Sequence, residues 1–252
     1  MTQARKALAF KALHKSGAPI VLYNIWDAGG AKALAEAGAK AVATGSFSVA
    51  AAQGYGDGEK IPLELVLTLV KRITETTDLP VSVDFEGAYA SDPATITANT
   101  RALIQAGAIG LNLEDQVVGS TNIYPNEKQA KRITAVRAAA EAEDIPLFIN
   151  ARTDLFLKSD PSEHGTHLPE AIKRAQAYAA AGADGFFAPA LTDLALLKKL
   201  CEASPLPVNA MIRGTLTSIA DATSAGASRI SYGPGPYTSA MADLTQRFKA
   251  LS

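Results

Sequence analysis

The tetrad Ala-Gly-Ala-x occurs four times in this chain, as Ala37-Gly38-Ala39-Lys40, Ala106-Gly107-Ala108-Ile109, Ala181-Gly182-Ala183-Asp184 and Ala225-Gly226-Ala227-Ser228. Each copy follows a helical pattern and precedes a short run of β-branched or apolar residues. Glycine just past a helix relieves the left-handed position there, and its small neighbours let the helix end pack close to the next strand. Two other strands are entered through proline, at Leu79-Pro80 and Leu206-Pro207, and Pro146 opens a third. Strands are therefore expected at 20–26, 41–46, 81–86, 109–114, 147–152, 185–190, 207–212 and 229–232. Helices are expected between them, including 62–77, 94–106, 127–142, 168–181 and 192–203, with an N-terminal helix over 1–18. Strict alternation argues for parallel strands, and eight of them for closure. The expected fold is α/β, a single (β/α)8 TIM barrel over 1–252, a fold that typically takes ~250 residues. A doubly wound open sheet is disfavoured, because D-A-G-G-A-K follows the first strand where a dinucleotide-binding sheet would carry G-x-G-x-x-G.

With 48% hydrophobic residues, the chain can bury one large core. A net charge of −1 with both signs scattered gives no basic face for nucleic acid or an anionic membrane. The single cysteine, Cys201, excludes an intramolecular disulfide and suits a reducing cytosol. The first residues are amphipathic and broken by Lys6, Lys11 and Lys15, unlike a secretory leader. No run reaches the ~20 apolar residues of a membrane span. A soluble, cytoplasmic protein is expected.

Three of the expected strands end on charged residues: V-S-V-D-F-E-G at Asp84 and Glu86, L-N-L-E-D-Q at Glu114 and Asp115, and F-I-N-A-R-T-D at Arg152 and Asp154. The C-terminal edge of a parallel barrel is where the loops build an active site. Side chains two apart on a strand point the same way, so Asp84 and Glu86 are expected to face one pocket. Asp84, Glu86 and Glu114 are hard oxygen donors suited to Mg²⁺ or Mn²⁺, and without a cation they would raise one another's pKa. Arg152 offers a fork for a substrate carboxylate, with pairing to Asp154 as the alternative. Thr44-Gly45-Ser46-Phe47 ends the second strand, where a turn can present N–H groups and the Ser46 hydroxyl to an oxyanion, although an ordinary βα turn reads the same way.

Asp115 is as well suited to pairing with the helical shell. His164 and His167, in H-G-T-H, read as residues of an exposed polar loop rather than metal ligands. Cys201 reads as a small apolar residue of a helix, and Gly233-Pro234-Gly235-Pro236 as a rigid turn.

The ordered set T-G-S-F-S-V-A-A-A-Q-G-Y-G-D-G, V-D-F-E-G, L-N-L-E-D-Q, A-R-T-D and P-V-N-A-M resembles the isocitrate lyase/phosphoenolpyruvate mutase superfamily, from Asn24 to beyond Arg229. The resemblance implies a barrel that holds Mg²⁺ through Asp84, Glu86 and Glu114, partly by way of water. The ion would bind the carboxylate and 2-oxo oxygens of a small 2-oxo acid. The resemblance further implies that Ser46 and the Phe47 backbone hold the oxyanion or phosphonyl end, and that Arg152 binds the carboxylate side. Asn209 would stand at the pocket rim, and Asp57 would meet the attacking or departing group. It also implies a homodimer or homotetramer.

Several departures narrow this reading. The K-[KR]-C-G-H loop of isocitrate and methylisocitrate lyases is replaced by V-V-G-S-T-N-I-Y-P-N-E, so those activities are not expected. Thr121-Asn122 is similar to the K-T-N loop of phosphoenolpyruvate mutase, with Ser120 in the place of its lysine. Residues 117–128 are expected to form an active-site lid that includes Asn122. Thr44 stands where that enzyme has a bulky aromatic, Glu86 replaces the commoner aspartate, and the sixth strand, G-F-F-A-P-A, is apolar. The expected function is Mg²⁺-dependent cleavage or rearrangement of a C–C or P–C bond in an oxaloacetate- or phosphonopyruvate-like acid. A barrel that binds a 2-oxo acid without turnover, and a class II aldolase-type lyase, are the alternatives.

Overall fold

All four tetrad glycines stand just past helices with left-handed backbones, at φ +88° (Gly38), +99° (Gly107), +101° (Gly182) and +97° (Gly226). At Gly107 a Cβ would lie 2.7 Å from Thr74 Oγ1, so the tetrad also brings neighbouring helices together. The computed structural model describes residues 1–251. Eight strands follow: β1 (Ile20–Leu22), β2 (Val42–Ala43), β3 (Val81–Asp84), β4 (Gly110–Glu114), β5 (Phe148–Arg152), β6 (Gly185–Phe187), β7 (Val208–Met211) and β8 (Arg229–Ser231). All pair in parallel in the order 1-8-7-6-5-4-3-2. An isolated bridge between Ile25 and Thr44 joins the first and last of them, with Ile25 N–H donating to Ala43 O at 2.9 Å. This is a (β/α)8 barrel.

Ten α-helices are described: α1 (Gln3–Ala12), α2 (Ala28–Glu36), α3 (Ser46–Ala52), α4 (Leu63–Thr76), α5 (Pro93–Gln105), α6 (Asn126–Ala142), α7 (His164–Ala180), α8 (Leu194–Ala203), α9 (Ile219–Ser224) and α10 (Gly235–Lys249). The strands are shorter than their apolar runs, because loops take over where each run leaves the barrel wall. The N-terminal helix stops at Ala12, ahead of a turn that includes Gly17, whose φ is +77°. His164 and His167 lie in the first turn of α7 and not in a loop. His164 is buried there, 3.0 Å from Phe156 O, so fold contacts account for it.

Leu111, Leu113, Ile149, Ala151 and Phe186 belong to the main core between strands and helices. A second, smaller core closes the barrel floor, where Phe10 of α1 meets Phe148 edge-on at 5.4 Å and His14 stacks on Phe148 at 4.0 Å. No helix is long and apolar enough to cross a membrane among the described residues.

Candidate active site

Alternation along the strands sorts the charged residues. Asp115 points outward, where Arg174 Nη1 and Tyr178 OH each donate to its Oδ2 at 2.9 Å. It is a buried anchor of the helical shell. The opposite set points to the barrel axis and includes Asp84, Asn112, Asn150, Arg152, Asn209, Met211, Arg229 and Ser231.

Within that set a hydrogen-bonded belt crosses the barrel. Asn209 Nδ2 donates to Ser231 Oγ (3.0 Å), Asn150 Nδ2 donates to Asn209 Oδ1 (3.3 Å) and Asn112 Oδ1 (2.8 Å), and Asn112 Nδ2 donates to Asp84 Oδ1 (3.2 Å). The other Asp84 oxygen, Oδ2, accepts from Ser46 N at 3.0 Å and Ser46 Oγ at 2.9 Å. Thr44 is buried, and its Oγ1 accepts from Asp84 N at 3.0 Å. Asp84 is thus fixed by Ser46, Asn112 and Thr44, and through Asn112 by the rest of the belt.

Above this belt lies a cavity of about 220 Å³, bordered by Gly45, Ser46, Phe47, Asp57, Asp84 and Arg152 among others. Six of the residues expected from sequence therefore meet at one place. Asn209 does not reach the rim; it is buried in the belt, and it acts on Asp84 through Asn150 and Asn112. Asn122 does not reach the cavity either. It is exposed in a turn where its carbonyl accepts from Val117 N at 3.0 Å, and a bridge pairs Gln116 with Ile123. Residues 126–128 of the expected lid already belong to α6.

Glu86 departs from the expected D-x-E geometry. The strand ends at Asp84, and Glu86 takes φ +49° in a turn where Ala88 (+60°) and Tyr89 (+54°) are also left-handed. Its carboxylate is turned to Glu59 N at 2.7 Å and Tyr89 OH at 3.4 Å. Buried Arg132 holds the same turn through Gly87 O at 2.6 Å. Such left-handed backbone at non-glycine residues persists only where the surroundings impose it. Glu114 is buried and pairs with Arg152 Nη1 at 3.0 Å. Arg152 also donates from Nε (2.6 Å) and Nη2 (3.0 Å) to Asp154, so both anticipated partners are present.

The electrostatics are those of crowded acids. Burial pushes Glu86 up to about 7, opposed by the Glu59 N–H and reinforced by Asp84 and Asp57. Burial also raises Glu114 well above the usual range, against the pull of Arg152. Asp57 is raised by desolvation and then by Asp84. Among the described residues, no three acidic, histidine or cysteine side chains gather closely enough to hold an ion directly. Mg²⁺ nevertheless suits this donor set, since it keeps several waters and takes one or two carboxylates. Asp84 is the carboxylate at the cavity wall, with Glu86 and Glu114 behind it, where water would bridge.

Sequence reasoning passed over Asn24, Asn112, Asn150, Arg213 and Arg229. Asn24 Oδ1 accepts from the Tyr232 and Gly233 N–H groups at 3.0 and 2.9 Å and so positions the loop after β8. Arg229 is buried at the cavity floor, bonded to Asn112 Oδ1 at 3.3 Å, and burial lowers its pKa to about 9. A signal was present: asparagine interrupts three apolar strands at the same inward phase, in L-N-L, I-N-A and V-N-A.

The phosphoenolpyruvate phosphomutase family model matches residues 10–252. The chain is 33% identical over 210 residues to 2-methylisocitrate lyase of Escherichia coli K12, covering 81% of this chain and 69% of that protein. A provisionally named phosphonomutase from Burkholderia cenocepacia J2315 superposes with a TM-score of 0.97 at 43% identity, over 100% of both chains. Phosphonopyruvate hydrolase, solved with oxalate and Mg²⁺, matches at a TM-score of 0.86 and 19% identity, over 98% of this chain and 86% of that one. This last likeness is one of fold.

Proposed function

Because the chain belongs to the phosphoenolpyruvate phosphomutase family, we propose that it is a Mg²⁺-dependent enzyme that cleaves or rearranges the bond to C3 of a small 2-oxo acid. Oxaloacetate and phosphonopyruvate are the substrates in view. The observation that carries this reading is Asp84, an ordered carboxylate at the cavity wall with Ser46 and Asn112 fixed on its two oxygens. Oxaloacetate acetylhydrolase and phosphonopyruvate hydrolase share the fold, which is compatible with either bond being broken.

Breaking a bond to C3 leaves an electron pair as an enolate. A bound Mg²⁺ would supply positive charge to the enolate and carboxylate oxygens at Asp84. The chain's own residues do the rest. Arg152, held by Glu114 and Asp154, presents its remaining N–H groups to the substrate carboxylate. Phe47 N–H lies in the first turn of α3, where helical N–H groups have no acceptor within the helix, and faces the substrate's oxyanion side. Asp57 borders the cavity with a raised pKa and delivers a proton to C3, or takes one from an attacking water. The belt through Asn112, Asn150 and Asn209 keeps Asp84 in place. Lacking the K-[KR]-C-G-H loop, the chain is not expected to cleave isocitrate or methylisocitrate.

The test is pyruvate release from a panel of small 2-oxo acids, phosphonates and hydroxyacids, with and without Mg²⁺. Metal-dependent turnover of at least one panel member is expected. Oxalate or pyruvate binding with no turnover across the panel would sink the enzymatic reading and leave a binding barrel; condensation of pyruvate with an aldehyde would point instead to an aldolase.

A further inference from the structure

The cavity holds a cation that the proposed chemistry leaves unused. Arg152 has its charge matched by two carboxylates, Glu114 and Asp154. Arg213 also borders the cavity, and among the described residues its side chain has no ion pair and no hydrogen bond. It lies two residues past Met211, where β7 ends, and it borders the cavity from the loop at the barrel mouth. Its backbone is fixed although its side chain is exposed. Arg213 N donates to Leu216 O at 2.9 Å, Leu216 N returns a bond to Arg213 O at 3.0 Å, and the Leu216 side chain is buried.

Its place in the ring matters. β7 stands four strands from β3 in a ring of eight, so Arg213 lies across the mouth from Asp84. The wall on its side is apolar, formed by Phe187, Pro189, Met211 and Leu157. The acids that border the cavity are Asp57 and Asp84, and neither is paired with Arg213. A small acid anchored near Asp84 would project its far end across the mouth, towards an unmatched guanidinium framed by apolar surface.

We propose that Arg213 is a specificity-determining residue that binds a second anionic group, a carboxylate or a phosphonate, at the C3 end of the substrate. This rests on the 2-oxo acid reading above. The guanidinium can make a bidentate contact with either oxyanion beside the apolar wall. It touches the part of the substrate that changes with the reaction, so it discriminates between substrates and leaves the pyruvate-like end to Asp84 and Arg152.

The experiment compares wild type with Arg213→Gln and Arg213→Lys in the presence of Mg²⁺. Calorimetry measures the affinity for oxalate, which has no C3 group, and for oxaloacetate and phosphonopyruvate; steady-state kinetics supplies KM wherever turnover occurs. Arg213→Gln should weaken binding of the acids charged at C3 by about tenfold or more, the loss of a charge-assisted contact. Oxalate affinity should stay as in wild type, and lysine should restore part of the loss. Unchanged affinity for both C3-charged acids, with oxalate still bound, would overturn the role of Arg213 alone. Failure of wild type to bind oxalate or any 2-oxo acid would overturn the underlying reading, and this proposal with it.

Discussion

Asp84 is the most constrained residue of the site, with both oxygens and its backbone N–H engaged by Ser46, Asn112 and Thr44. Glu86 lies off the strand and bonds to Glu59 N instead. Asp84→Ala should therefore abolish Mg²⁺-dependent activity and weaken Mg²⁺ binding more than Glu86→Ala does. Equal metal affinity of wild type and Asp84→Ala in a calorimetric titration would reject the assignment. Burial and the nearby Arg229 lower the pKa of His14 from 6.5 to about 3. The unfolded chain binds this proton below pH 6.5 while the folded chain does not, so its contribution is whole above pH 6.5 and is lost as pH falls towards 3. His14→Phe keeps an aromatic ring against Phe148 and removes the titration. Between pH 6.5 and 4.5, urea denaturation should show wild type losing on the order of 2 kcal/mol more stability than the variant. Parallel losses would show that His14 takes up its proton in the folded chain as readily as in the unfolded one.

At the scale of elements, the belt depends on the glycine that opens β6. A Cβ at Gly185 would stand 2.8 Å from Asn150 Oδ1 and 3.0 Å from Phe148 Cε1. Gly185→Ala should displace Asn150, cost about 1–3 kcal/mol from overpacking and lower activity through Asn112 and Asp84. Wild-type stability and kcat in this variant would show that the belt is dispensable. The loop before α6 is a second element with a testable role. Lys158 Nζ reaches Ser120 O at 3.1 Å, so the loop is tied to the segment after β5, while Asn122 stays exposed. If the loop closes over substrate, hydrogen exchange across 117–125 should slow on adding oxalate with Mg²⁺, and Asn122→Ala should lower kcat in a folded barrel. No change in either removes the loop from the mechanism. The D-x-E motif shows why element boundaries matter: Asp84 lies on the strand, whereas Glu86, past its end, takes a left-handed turn and bonds to Glu59 N while still bordering the space beside Asp84.

For the whole molecule, α10 is the open question. Its sequence spacing requires a buried apolar face, yet Leu244 is 61%, Phe248 73% and Leu251 86% exposed in the single chain. At its other end Pro236 is buried and Tyr237 packs edge-on against Trp26 at 5.2 Å and Phe47 at 6.4 Å. The helix is thus seated beside the cavity mouth while its far half lacks cover. A second copy of the chain is the expected cover, giving a homo-oligomer in which the dimer is the more secure state. Light scattering at micromolar concentration should report at least a dimer, and Leu244→Asp with Phe248→Asp should dissociate it. A wild-type monomer would defeat this expectation.

The sequence by itself determined the barrel. Four helix-ending tetrads, prolines at strand entries and eight apolar runs act within a few residues of one another, and local sterics reads such signals without knowledge of the rest of the chain. It also marked Asp84, Glu114 and Arg152, because a charge that ends an apolar strand must emerge at the barrel mouth. Tertiary structure alone decided which side chains meet. Asn209 supports Asp84 through two asparagines on other strands, Glu86 is captured by Glu59, and Arg213 stands across the ring from Asp84. Each of these relations depends on the closure and register of eight strands, and so joins residues that no local pattern links.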